Sequence, residues 1–68
     1  PKSLAYAEAS DFMGQLYEGL ELYKEAELFY QNVRSIFGDI LGTQHSKYAG
    51  ACDALAKVYF FQGLYHLA

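Results

Sequence analysis

One cysteine, Cys52, is present in the 68 residues, so no internal disulfide staples this chain, and a reducing, intracellular setting is the simplest reading. Basic residues are few: five lysines and arginines face eight aspartates and glutamates, for a formal charge of −3. No basic stripe runs along the chain to track a phosphate backbone, which argues against nucleic acid as a partner. The acidic residues gather in the first half, at Glu8, Asp11, Glu18, Glu21, Glu25 and Glu27, against Lys2 and Lys24. No apolar run approaches the roughly 20 residues of a membrane span, and no signal-peptide pattern is visible, so no membrane partner is expected. The chain begins at Pro1 and not at methionine, which leaves a removed targeting segment open. Valine, isoleucine and threonine are sparse and nothing alternates, so no strand is predicted. The glycines of "FGDILG" come without the lysine and hydroxyl of a phosphate-binding loop.

Apolar material, by contrast, is abundant. Hydrophobic residues make up 53% of the chain and aromatics 18%, with seven tyrosines and five phenylalanines. A chain this short buries only a limited core. The surplus therefore implies packing against something further, either neighbouring chain or a partner, and the 68 residues alone are expected to be poorly folded.

The sequence repeats itself. Residues 6–26, "YAEASDFMGQLYEGLELYKEA", align with 48–68, "YAGACDALAKVYFFQGLYHLA", a step of 42 residues from Tyr6 to Tyr48. Tyr6, Ala7, Ala9, Asp11, Tyr17, Leu22, Tyr23 and Ala26 return as Tyr48, Ala49, Ala51, Asp53, Tyr59, Leu64, Tyr65 and Ala68. A repeat of this length points to a solenoid or another stacked array.

Within each unit the period is helical. Cys52, Leu55, Ala56 and Tyr59 stand at i, i+3, i+4 and i+7, and Ser10, Met13, Gly14 and Tyr17 take the same places in the first unit. From about Leu22 a second helix carries two apolar stripes, one of Ala26, Tyr30, Val33 and Phe37, the other of Leu22, Phe29, Ile36 and Ile40. A helix apolar on two sides is wedged between neighbours. Gly19 in the first unit and Gln62-Gly63 in the second mark the expected turns. The expected helices span about 3–18, 22–38 and 46–61, with the start of another from about 64.

The order of small and large residues, Ser10, Met13, Gly14, Tyr17, Ala26 and Tyr30, then Cys52, Leu55, Ala56, Tyr59 and Ala68, resembles the tetratricopeptide repeat. The joint "ILGTQHSKYA" and the helix "LYKEAELFYQNVRSIFGDILG" are similar to the longer repeats of the kinesin-light-chain type, with Ser46 in place of the usual proline and Glu21 where glycine commonly closes the turn. The resemblance implies an all-α fold of antiparallel helix-turn-helix repeats stacked as an α-solenoid. Residues 1–45 would form a first repeat and residues 46–68 a truncated second one, with further repeats packing on both ends. Gly14 and Ala56 would admit close helix approach, and Tyr17 and Tyr59 would fill the space beside them.

Catalysis finds little support. Cys52 falls on the face read as packed and is expected to be a small core residue, not a reactive thiol. His45, His66 and Cys52 match no compact zinc spacing, so neither a metal nor a cofactor is expected. His45 reads as a joint residue bonded to local backbone, with Ser46 capping the next helix. In such an array the first helices line a concave face. The resemblance then places Glu8, Asp11, Phe12, Gln15 and Glu18 on that face in the first unit, and Gly50, Asp53, Ala54, Lys57 and Phe60 in the second. As an ordinary solvated face, Asp53 and Lys57 would be a surface i, i+4 pair.

The function so implied is a non-catalytic scaffold that binds a peptide or protein segment, basic or basic-aromatic to suit the acidity, in a cytoplasmic setting that includes cytoskeleton or cilium. Two alternatives stand beside it. One is a structural segment of a larger assembly, cytoskeletal or homo-oligomeric, packing through Tyr48, Phe60 and Phe61. The other is a regulatory array attached to a catalytic or NTPase domain outside these residues.

Overall fold

The computed structural model describes residues 3–67, with side chains from Ser3 to Leu64. Three helices follow one another: α1 (Leu4–Gly19), α2 (Tyr23–Leu41) and α3 (Ser46–Leu67). The fold is all-α, and the described residues contain no strand. Helix α2 lies between the other two, and its own contacts join them. Gly14 meets Tyr30 and Tyr6 reaches Asn32, so α1 and α2 are antiparallel; Tyr48 meets Gly38 and Gln62 reaches Glu27, so α2 and α3 are antiparallel too. Helices α1 and α3 consequently run the same way.

Ser3 starts α1: its backbone is extended and its hydroxyl accepts from the Tyr6 N–H at 3.1 Å, satisfying one orphan donor of the first turn. The helix ends in a reversal that differs from expectation. The left-handed residue is Glu21, at φ 63°, and not Gly19, which is the last residue of α1. The Leu22 N–H donates to the Tyr17 carbonyl at 2.9 Å and the Glu21 N–H to the Glu18 carbonyl at 3.0 Å. This is the Schellman arrangement, with glutamate where glycine is commonest. Register decides it: the bond from Leu22 back to Tyr17 puts the left-handed residue immediately before Leu22, two residues beyond Gly19.

The second joint uses a true glycine. Gly42 has φ 91° and ψ 156°, a region open only to glycine, and closes α2 through its N–H to the Gly38 carbonyl. The capping residue of α3 is His45, correcting the expectation for Ser46. His45 Nδ1 accepts from the Lys47 N–H at 3.0 Å, and the His45 carbonyl accepts from the Tyr48 and Ala49 N–H groups. Ser46 is already the first residue of the helix.

The expected turn at Gln62-Gly63 does not form, and α3 runs unbroken to Leu67. Gln62 Nε2 donates to Glu27 Oε1 at 2.8 Å, which holds this turn of α3 against α2. Once nucleated, each further residue adds a bond, and nothing at Gly63 forces the chain to reverse.

The core follows α2. Ala26, Tyr30, Val33, Ile36 and Phe37 are buried, and they meet Ala7 from α1 and Ala51, Leu55 and Val58 from α3. Each fully buried large apolar side chain contributes about 1.5–3 kcal/mol. That exceeds the ~0–1 kcal/mol of an exposed ion pair, so packing on α2 holds the fold. On α3 the buried stripe is displaced from expectation. Leu55 is buried, but Ala56 and Tyr59 are exposed and Cys52 is only half-buried, so Cys52 is not a core residue. Met13 of α1 likewise lies off the packed face. Two aromatics read as surplus are absorbed within the chain: Tyr48 packs over Gly38, and Phe61 stacks on Tyr23 at 5.3 Å between ring centroids. Phe60 stays 63% exposed. Ala68 and the side chain of His66 lie outside the described residues.

Candidate functional site

The parallel course of α1 and α3 over α2 leaves a groove of about 520 Å³. Tyr30 and Phe37 of α2 form its floor. One wall is Glu8, Asp11, Gln15 and Glu18 of α1; the other is Lys47, Gly50, Ala54 and Lys57 of α3. The wall residues of α1 recur at steps of three and four, which puts them on one helix face.

Two ion pairs span the groove. Lys47 Nζ lies 3.5 Å from Glu8 Oε2 near one end, and Lys57 Nζ lies 3.1 Å from Glu18 Oε2 near the other. Both glutamates and both lysines are ten residues apart (8 to 18, 47 to 57), so the two bridges are in register. Glu18 is the best anchored of the four. Its Oε1 accepts from the Tyr30 hydroxyl at 2.9 Å, so one carboxylate ties all three helices together. Burial, the hydrogen bond to Glu18 and the nearby negative charges of Glu18 and Asp11 all raise the Tyr30 hydroxyl above the ordinary tyrosine value, keeping it a donor. Lys47 also stands 5.8 Å over the centre of the Phe37 ring, a cation–π contact at the groove floor.

Asp11 sits between the two bridges. It accepts from Gln15 Nε2 at 3.1 Å, and among the described residues no cation lies within ion-pair distance of it. The described residues therefore bring three carboxylates and two ammonium groups to the groove, an acidity much reduced from the one read in the first half of the sequence.

Of the residues expected on a concave face, the structure gathers Glu8, Asp11, Gln15, Glu18, Gly50, Ala54 and Lys57 along the groove. Phe12, Asp53 and Phe60 do not line it, although all three are exposed. Lys47, Tyr30 and Phe37 were not anticipated as lining. Lys47 has no counterpart pattern in the first unit, where Ala5 occupies the equivalent place. Tyr30 and Phe37 belong to a stripe whose apolar character suggested core alone.

The remaining chemistry-bearing residues lie apart. His45 is exposed at the second joint and Cys52 is half-buried on α3. Among the described residues no group of three His, Cys, Asp or Glu side chains converges for a metal ion, and no helix is long and apolar enough to cross a membrane.

Comparison with family models, with curated proteins and with solved structures finds no match for this chain.

Proposed function

We propose that this chain is a non-catalytic interaction module, a piece of a tetratricopeptide-like α-solenoid, that binds an extended protein segment in the groove between α1 and α3. The observation that carries the reading is the gathering of charged and polar side chains from two helices over a shared aromatic floor. A bound segment would meet backbone-scale polar partners along both walls and apolar surface beneath. Asp11 gives it a preference for a lysine or arginine side chain at the middle of the groove, since among the described residues it is the groove carboxylate with no cation in ion-pair distance.

Asp11→Lys and Asp53→Lys form the test. Both reverse the same charge on the same kind of helix surface, but only Asp11 lines the groove. Basic peptides titrated against each variant should bind the Asp53→Lys chain as they bind the parent and fail on the Asp11→Lys chain. Equal loss in both variants would reduce the effect to net charge and sink the groove assignment.

A second reading, a structural segment that assembles with other chains, is favoured by a different observation. Phe12 of α1 and Leu20, the residue that follows its last turn, are 61% and 68% exposed, with Leu16 between them. Apolar stripes of this kind mark association surfaces. Light scattering separates the readings: a strict monomer at high concentration counts against assembly through copies of this chain.

A further inference from the structure

The face that α1 turns to α2 carries Ala7, Ser10, Gly14 and Tyr17. The 42-residue step puts Ala49, Cys52, Ala56 and Tyr59 at the same points of α3. Yet α3 meets α2 with another face, through Ala51, Leu55 and Val58. Its repeat-equivalent face is open: Ala49, Ala56 and Tyr59 are exposed, Cys52 is half-buried, and the adjoining Phe60 is exposed. The same seat is thus occupied by a helix in the first unit and, among the described residues, empty in the second.

We propose that this open face of α3 docks a helix of the α2 pattern that carries an aliphatic residue in the place of Tyr30. The first unit shows what the seat holds. Tyr17 stacks on Phe29 at 5.4 Å with the rings 15° apart, and Gly14 receives the ring of Tyr30. Tyr59 repeats Tyr17; its hydroxyl accepts from Gln31, and its ring is left about half exposed (46%) for an aromatic at the Phe29 register.

At the Tyr30 register the second seat differs twice, and both differences exclude tyrosine. A Cβ on Gly14 would stand 2.8 Å from Tyr30 Cε1 and 3.0 Å from Cδ1, and Ala56 has that Cβ. Glu18, which accepts from the Tyr30 hydroxyl, is replaced by Phe60, which accepts nothing. A tyrosine there would lose its space and leave a buried hydroxyl without a partner. A leucine or methionine at that point is shorter, flexible and needs no acceptor.

The occupant is not a second copy of this chain. The buried residues of α2 are already held between α1 and α3, and α2 carries the excluded tyrosine.

Two labelled peptides spanning residues 22–42 provide the test, one with the parent sequence and one with Tyr30→Leu, each titrated with the 68-residue chain. The Tyr30→Leu peptide should bind saturably and about tenfold or more tightly than the parent peptide, with amide shifts confined to Ala49, Cys52, Ala56 and Tyr59 of the chain. In the chain bearing Ala56→Gly together with Phe60→Glu, which rebuilds the first seat, the preference should reverse toward the parent peptide. Equal binding of both peptides to the unaltered chain overturns the proposal. So does a response centred on Gly14, which means the peptide has displaced the chain's own α2. Concentration-dependent dimerisation of the chain with shifts on this face of α3 overturns it as well.

Discussion

The ring of Tyr30 in α2 lies against the backbone of Gly14 in α1, so close that a Cβ on Gly14 would fall 2.8 Å from Tyr30 Cε1. Tyr30 is only 1% exposed and its hydroxyl is held by Glu18, so the ring cannot turn aside without giving up that bond and its packing. Gly14→Leu should therefore cost roughly 1–3 kcal/mol by overpacking. Gly38 makes a similar approach to Tyr48, at 3.0 Å, but Tyr48 is only half-buried and can yield. Gly38→Ala should cost less than Gly14→Ala. Urea titrations followed by far-ultraviolet circular dichroism at low temperature compare the two, and the reverse order would discount the close approach as the cause.

Glu21 is strained by its left-handed backbone. A non-glycine residue in that conformation costs about 1–2 kcal/mol. Glu21 is exposed, and among the described residues its side chain makes no hydrogen bond or ion pair. Glu21→Gly should thus stabilise the chain by about 1 kcal/mol despite the extra freedom glycine gives the unfolded state. A raised urea midpoint checks this. Gly19→Ala, inside the last turn of α1 with open space around it, should also be tolerated or mildly stabilising.

At the start of α3, the cap is His45 and not Ser46. His45→Ala should remove about 0.5–2 kcal/mol, the usual range for losing a side-chain cap. Ser46→Ala should be close to neutral. Amide exchange at Lys47, whose N–H the imidazole accepts from, should quicken in the first variant only.

The raised Tyr30 hydroxyl makes stability depend on alkaline pH. The folded chain keeps a proton that the unfolded chain releases above the ordinary tyrosine value of 10.0. The stabilisation is thus fully present below about pH 10 and is lost as pH rises beyond it. The urea midpoint of the parent should fall more steeply than that of Tyr30→Phe between about pH 9 and pH 11. Parallel slopes would remove Tyr30 as the source.

Phe12, Leu20, Leu28 and Phe60 are each more than half exposed, and Leu16 and Tyr59 nearly so. With so much apolar surface in water, the chain alone should melt over a broad range with weak cooperativity. A sharp calorimetric transition would show that α2 packing suffices by itself.

The helices were legible because their signals are local. Spacing of three and four residues, the step of 42 residues and the paucity of β-formers mark an all-α chain with a central helix, and α2 is that helix, although Leu22 and Ile40 of its expected second stripe are exposed. Gly14 was legible as a close approach because a helix contact of that kind needs a small residue on its face. The groove was legible in part, since Glu8, Asp11, Gln15 and Glu18 share one face of one helix whatever lies opposite.

Tertiary structure decided what lies opposite. Lys47 and Lys57 face Glu8 and Glu18 because α3 lies along α1 at a particular register, and no pattern within one helix contains that register. The same holds for the buried stripe of α3: periodicity pointed to Cys52, Leu55, Ala56 and Tyr59, whereas packing on α2 chose Ala51, Leu55 and Val58. A helix with small or apolar residues on two adjoining faces can turn either to its neighbour. Only the position of the neighbour, with the bonds from Gln31 to Tyr59 and from Gln62 to Glu27 fixing α3 about its axis, settles which face is covered and which is left for another helix.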